Sequence, residues 1–205
     1  MTPTNVTVWT DPSCPWAWQA SKWLRYLEDR DLIRIEWRLF SLEVNAVRES
    51  DASAPVFFRD AATAHGDALV VLRAVLGERP DAFGDVYAAI GERLHEDRRE
   101  DSRELVREAA AQVGVSELAE RAFESPDLGE ELVREHAQAR AESVFGVPTL
   151  RIEGSKAAYG PLIARAPEGE DAVELWGHTR FFIERPDFFE LKRWPRDVRP
   201  GALAS

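Results

Sequence analysis

Sulfur is nearly missing from this chain: 205 residues hold one cysteine, Cys14, and one methionine. A single cysteine excludes an internal disulfide and any cysteine-rich zinc site. Basic residues are also short, 26 against 37 acidic ones, leaving a net charge of −11. A surface of that sign repels phosphate backbones, so nucleic acid is not an expected partner. No apolar run reaches the ~18 residues of a membrane-spanning helix, so no membrane is expected either. The opening MTPTNVTVWTD lacks a basic region followed by an apolar stretch, which argues against a secretory leader. His65, His95, His136 and His178 show no ligand spacing and no HExxH, so no metal site is expected. These absences point to a cytoplasmic protein whose thiol stays reduced.

What is present is a sizeable apolar fraction, 44%, enough for one large domain or a domain with an insertion. Asn5 to Thr10 sets Val6 and Val8 on one face and Thr7 and Trp9 on the other, the pattern of a strand. Asp11, Pro12 and Ser13 break it. Pro15 suits the first turn of a helix running to about Asp29, with Ala17, Ala20, Leu24 and Leu27 on its inner face. IRIEWRLF, residues 33–40, alternates as a second strand, parallel to the first by the usual crossover.

From Pro55 to Val144 alanine, leucine, glutamate and arginine recur at helical period. Helices are expected over residues 67–76, 80–95, 102–113, 116–124 and 127–142. Asp101 with Glu104 has the pattern of a capping box, and Gly77, Gly114 and Gly146 stand where helix C-caps belong. Strand character returns at Val147–Glu153 and Ala157–Gly160. A helix follows over residues 170–184, with Val173, Trp176 and Ile183 on one face. The order is β-α-β, a helical block, then β-β-α: an α/β fold carrying an all-helical subdomain. Residues 195–205 look like a flexible tail.

The cysteine lies in TVWTDPSCPWAW, residues 7–18, between a strand end and a helix start. Free N–H groups and partial positive charge at a helix N-terminus favour a thiolate, lower the thiol pKa and create a nucleophile. An inert buried cysteine fits the spacing equally well.

Cys14-Pro15-Trp16, following Asp-Pro, resembles the CPWC active site of the DsbA-like branch of the thioredoxin superfamily. Gly146-Val147-Pro148-Thr149 resembles that family's cis-proline loop, in which the proline lies against the reactive cysteine and the neighbouring backbone pairs with substrate. DPSCPWAW, FSLEVN, GERLHED, FGVPTL, YGPLI, PEGEDAVELW and FFELKR resemble, in order, segments of DsbA-family proteins that include the mycothiol-dependent nitroreductases. The resemblance implies a thioredoxin-like domain from residues 1–54 and 145–194 and a DsbA-like helical insertion over 55–144. It implies Cys14 as catalytic residue. Pro15, Trp16, Val147, Pro148, Thr149, Asn45 and His95 would bind substrate or thiol.

The departure is Ala17, which stands where the second cysteine of CPWC would be. With no resolving cysteine, the resemblance implies a monothiol oxidoreductase. Mycothiol or glutathione would act as co-substrate, and no cofactor would be tightly bound. Its targets would be small electrophiles or disulfides, reduced or conjugated. The expected partners are that small thiol and an electrophile, with homodimerisation left open. Two other readings remain. Kappa-class glutathione transferases and hydroxychromene carboxylate isomerases share the architecture but bind glutathione's sulfur through a serine. A thioredoxin-fold binding module would carry a redox-inactive site. Asp11 reads as a turn residue beside Cys14, with tuning of the thiol as the lesser alternative.

Overall fold

A computed structural model of the chain describes residues 2–45, 64–100, 102–192 and 200. Its centre is a four-stranded sheet of order β2-β1-β3-β4, formed by β1 (Thr4–Thr10), β2 (Ile33–Leu39), β3 (Thr149–Ile152) and β4 (Ala158–Tyr159). β1 and β2 are parallel, from Thr4 opposite Ile33 to Thr10 opposite Leu39. β3 returns antiparallel beside β1, with Val6 opposite Ile152. A central strand is covered on both faces. Accordingly Val6, Thr7, Val8 and Trp9 are all buried, not only one alternating set. β2, at an edge, does alternate: Ile33, Trp37 and Leu39 are buried and Arg34, Glu36 and Arg38 exposed.

The outer edge of β2 is plugged by side chains. Ile35 N–H donates to Glu28 Oε1 at 2.8 Å, and Leu39 N–H donates to Glu135 Oε1 at 3.1 Å.

Helix α1 (Pro15–Glu28) connects β1 to β2. Ala17, Ala20, Trp23, Leu24 and Leu27 line its buried face. The helical block comprises α2 (Ala64–Glu78), α3 (Phe83–Gly91), α4 (Arg103–Val113), α5 (Ser116–Phe123) and α6 (Pro126–Ala141). Between residues 64 and 141 no strand occurs among the described residues. Helix α7 (Gly169–Ile183) packs on β3 and α1, where Trp23 Nε1 donates to Ala172 O at 3.0 Å.

The block and the sheet share one core, and aromatic rings mark the seam. Trp37 on β2 lies 5.4 Å from Phe83 and 5.8 Å from Tyr87 of α3, between ring centroids, while Tyr87 lies 6.4 Å from Trp18 of α1. Gly91 closes the seam: a Cβ there would sit 2.4 Å from Trp18 Cε3, so the helix backbone abuts the indole.

Several expected details differ. The helix expected over 80–95 is three pieces. A 3-10 turn (Pro80–Ala82) begins at the proline, α3 follows, and a wider turn over Glu92–Glu96 is closed by Asp97 N–H to Glu92 O at 3.0 Å. The cap of α4 is Ser102, whose Oγ accepts from Leu105 N–H at 3.2 Å; Asp101 lies outside the described residues. Gly114 does end α4, at φ +78°. Gly77, by contrast, lies inside α2, and α6 ends with Ser143 at φ +68° in place of Gly146. The bonds Ser143 N–H to Arg140 O and Val144 N–H to Ala139 O, both 3.0 Å, close that end in a Schellman pattern. On α7 the inward face is set by Ala172 and Trp176, one turn apart, so Val173 is 45% exposed. The start of the expected insertion, residues 55–63, and all of the expected tail except Pro200 lie outside the described residues. Among the described residues no helix is long and apolar enough to cross a membrane.

Candidate active site

β1 delivers the chain into a turn organised by Asp11, which is 2% exposed. Its Oδ1 accepts from Ser13 N–H at 2.8 Å and from Ser13 Oγ at 2.6 Å. Its Oδ2 accepts from Leu42 N–H at 2.9 Å, and its carbonyl accepts from Cys14 N–H at 3.1 Å. One carboxylate thus holds the turn before α1 against the helical turn at 42–45. Tyr87 adds a tie from the helical block: its hydroxyl donates to Asp11 O at 3.2 Å and accepts from Thr10 Oγ1 at 2.7 Å. Burial pushes the Tyr87 phenol far above its ordinary value, so the hydroxyl stays protonated and able to donate.

Cys14 is the N-cap of α1, with Pro15 at the first helical position. Its Sγ accepts from Ala17 N–H at 3.5 Å and donates to Val147 O at 3.6 Å. The side chain is 7% exposed, in a small apolar cluster with Trp9, Ala17, Phe40, Ala139, Val144 and Val147. Those surroundings correct the expected lowered pKa. Burial pushes the Cys14 thiol above the ordinary value. The N–H groups of Ala17 and Trp16 pull it down without cancelling that rise, and the Asp11 carboxylate adds to it. The helix start does offer its N–H groups to the sulfur, but the apolar packing outweighs them.

The loop before β3 comes to the same place, 133 residues away in sequence. The Val147–Pro148 and Gly160–Pro161 peptide bonds are cis. Val147, Pro148 and Thr149 are buried. Thr149 Oγ1 donates to Gly146 O at 2.7 Å, and Gly160 N–H donates to Pro148 O at 2.8 Å, so the loop is held from both sides.

Around this pair the remaining expected residues are unequally placed. Pro15 is exposed, and Trp16 is half-buried against the Cys14 cluster. His95, in the wide turn after α3, places Nε2 2.9 Å from Pro12 O and stacks its ring on Trp18, 6.3 Å between centroids. It therefore touches the turn that carries Cys14. Asn45 is half-buried at the end of the 42–45 turn, its N–H donating to Ser41 O at 3.1 Å. Its link to Cys14 is indirect, through Leu42 and Asp11.

Asp11 and Tyr87 have a larger part in the geometry than their sequence context shows. The only sign for Asp11 is its position three residues before the cysteine, and Tyr87 carries no sign at all. Among the described residues no group of three His, Cys, Asp or Glu side chains is placed to hold a metal ion. A hollow of about 720 Å³ lies elsewhere, against the outer edge of β2. It contains none of these residues, and its Arg73 already pairs with Glu131 at 3.1 Å and Glu135 at 3.7 Å.

Comparison with known proteins gives the chain a family and a fold. The family model described as Rv2466c-like, mycothiol-dependent nitroreductase Rv2466c, matches residues 13–193. The uncharacterized protein Rv2286c of Mycobacterium tuberculosis is 31% identical over 201 residues, covering 95% of this chain and 85% of that protein. Among solved structures, the probable DsbA oxidoreductase SCO1869 of Streptomyces coelicolor superposes with a TM-score of 0.57 at 17% identity, covering 94% of each chain. The cytosolic disulfide reductase DsbM of Pseudomonas aeruginosa, solved with GSH, gives 0.58 at 13% identity, covering 86% of this chain and 99% of that one. At these identities the structural likenesses establish the fold, DsbA-like and thioredoxin-like.

Proposed function

This chain belongs to the Rv2466c-like family of mycothiol-dependent nitroreductases, and from that premise we propose that it is a cytoplasmic oxidoreductase working through Cys14 alone. Its co-substrate is a low-molecular-weight thiol, mycothiol in the first place and glutathione in the second. Its targets are small disulfides or electrophiles. The observation that carries the reading is the meeting of Cys14 Sγ with the α1 N–H groups on one side and Val147 O on the other, in a chain with no second cysteine.

The resting thiol is protonated, because burial and Asp11 both oppose its ionisation. As a disulfide RSSR approaches, the Ala17 and Trp16 N–H groups stabilise charge developing on Sγ. Sγ attacks one sulfur, the S–S bond breaks, and the Cys14 proton leaves with the departing thiol: Cys14–SH + RSSR gives Cys14–S–SR + RSH. The co-substrate thiol R′SH then attacks the mixed disulfide and restores Cys14–SH as RSSR′ forms, so one half of the target disulfide has left as RSH. In a chain with a resolving cysteine that second attack would be internal; here it comes from solution. Val147 and Pro148 line the slot in which the incoming sulfur lies. Trp16 and His95 bound the slot from α1 and from the helical block, and Asn45 and Thr149 support its walls.

Intact mass after incubation with mycothiol disulfide tests this. One thiol adduct per chain is expected. It should be absent in Cys14→Ser and released by excess free thiol. A chain that takes up no adduct from any small disulfide would leave a non-covalent thiol-binding role in place of this chemistry.

A further inference from the structure

Phe145 and Tyr159 present bare aromatic surface beside the Val147–Pro148 loop, 57% and 46% exposed. Their rings lie 5.0 Å apart between centroids, tilted by 37°. Phe145 precedes Val147 by two residues, and Tyr159 stands directly opposite Thr149 in the β3–β4 register. The surrounding backbone fixes the pair. A Cβ on Gly146 would come within 3.1 Å of Tyr159 Cε2, so that position lies flat under the ring. The Gly160 N–H bond to Pro148 O, at 2.8 Å, ties the segment carrying Tyr159 to the loop. The Cys14 sulfur is close enough to Tyr159 for its charge to oppose ionisation of the phenol.

We propose that the Phe145–Tyr159 pair is the subsite for the sugar portion of the thiol co-substrate, whose ring C–H faces stack on the two aromatic rings. The inference rests on the thiol-exchange reading above. A thiol whose sulfur meets Cys14 Sγ lays its cysteinyl group along Val147, and whatever that group carries leaves the slot over the adjoining surface. Half-exposed aromatic rings suit an amphipathic ligand, apolar on one face and hydroxylated on the other. Charge points the same way. A peptide thiol with two carboxylates needs cations. The charged side chain in the turn itself is Asp11, and Arg151 on β3 is already paired with Glu142, which leaves Lys156 as the exposed cation of the β3–β4 connection, one where two carboxylates call for two. A neutral glycosidic thiol needs none.

The test compares exchange of Cys14 with mycothiol disulfide and with the bis(methylamide) of N,N′-diacetylcystine, which has the same uncharged N-acetylcysteinyl amide and no sugar. The wild type should react about tenfold or more faster with the former, a difference of ~1.4 kcal/mol. Phe145→Ala and Tyr159→Ala should bring the ratio towards one by slowing the mycothiol reaction alone. Phe145→Tyr should keep the wild-type ratio. A ratio unchanged in the alanine variants overturns the subsite, including the case in which only turnover of an aromatic electrophile falls. Equal slowing with both disulfides overturns it too, since the rings would then be scaffold. Absence of an adduct with either disulfide overturns the thiol-exchange reading itself, and the subsite with it.

Discussion

The Tyr87 hydroxyl donates to the carbonyl of Asp11 across 3.2 Å, so a side chain of the helical block holds the turn from which Cys14 projects. The same oxygen accepts from Thr10 Oγ1 at 2.7 Å. Replacing Tyr87 by Phe keeps the ring packing against Trp37, Phe83 and Trp18 and strands one buried hydroxyl, Thr10 Oγ1, while Asp11 O keeps its bond from Cys14 N–H. Unsatisfied buried groups cost about 1–3 kcal/mol each before relaxation. Tyr87→Phe should therefore lower the urea unfolding free energy by ~1–3 kcal/mol with an unchanged m-value. Loss below ~0.5 kcal/mol would mean the turn is held by Asp11 alone.

Cys14 should be slow to alkylate at neutral pH. Its iodoacetamide rate should rise with a midpoint above the ordinary thiol value of ~8.5, because burial and Asp11 both favour the protonated form. Asp11→Asn removes the neighbouring charge and should move that midpoint down. The linked effect on stability has a definite sign. A folded-state pKa raised above the unfolded value contributes stability that is fully present below the unfolded pKa. That contribution is lost as pH rises through the folded value. Urea titrations from neutral to alkaline pH should show the wild type losing more stability than Cys14→Ala. A midpoint below the ordinary value would show the helix N–H groups prevailing over burial.

Gly91→Ala sets two effects against each other. Alanine in a helix gains up to ~1 kcal/mol in propensity. Its Cβ, however, would lie 2.4 Å from the Trp18 ring, which is 2% exposed and cannot swing away. Overpacking costs ~1–3 kcal/mol, so the variant should be net destabilised. Calorimetry reads this as a lowered Tm. A raised Tm would show that the Trp18 pocket yields.

Ala17→Cys should restore a dithiol. Ala17 is 1% exposed, and its N–H already donates to Cys14 Sγ. Positions i and i+3 in a helical turn place their Cα atoms about 5 Å apart, inside the ~4.4–6.8 Å that a disulfide spans. Mild oxidation should remove both free thiols by thiol counting, and non-reducing peptide mapping should join them. Two thiols left free, with Cys14 still labelling, would show a turn geometry unlike that of a CxxC protein.

The elements governed by short-range pattern were legible in the sequence. Pro15 announces α1, the alternation of IRIEWRLF gives β2, and Gly114 ends α4. The ends that depend on tertiary setting were not. Ser143 takes the left-handed position after α6 although glycine stands three residues later, because the Schellman bonds fall at 143 and 144. The site divides the same way. Cys14 and Pro148 announce themselves by motif. The electrostatic state of Cys14 does not, because its apolar cage draws on two distant segments, Phe40 after β2 and Ala139 and Val144 at the end of α6. Asp11 resembles any turn aspartate until Leu42 and Tyr87 are folded onto it.

The carboxylates of Glu28 and Glu135 on the β2 edge bear on how copies of this protein can meet. An open strand edge invites another chain to extend the sheet, the first step of edge-to-edge aggregation. Here the outward amides of Ile35 and Leu39 already have acceptors within the chain, and those acceptors carry negative charge. A second sheet approaching β2 would have to displace them to reach those amides. Association by strand addition on this side is thus blocked at its nucleation. At high concentration the chain should resist fibrillation from this edge, and any assembly of copies should use another surface.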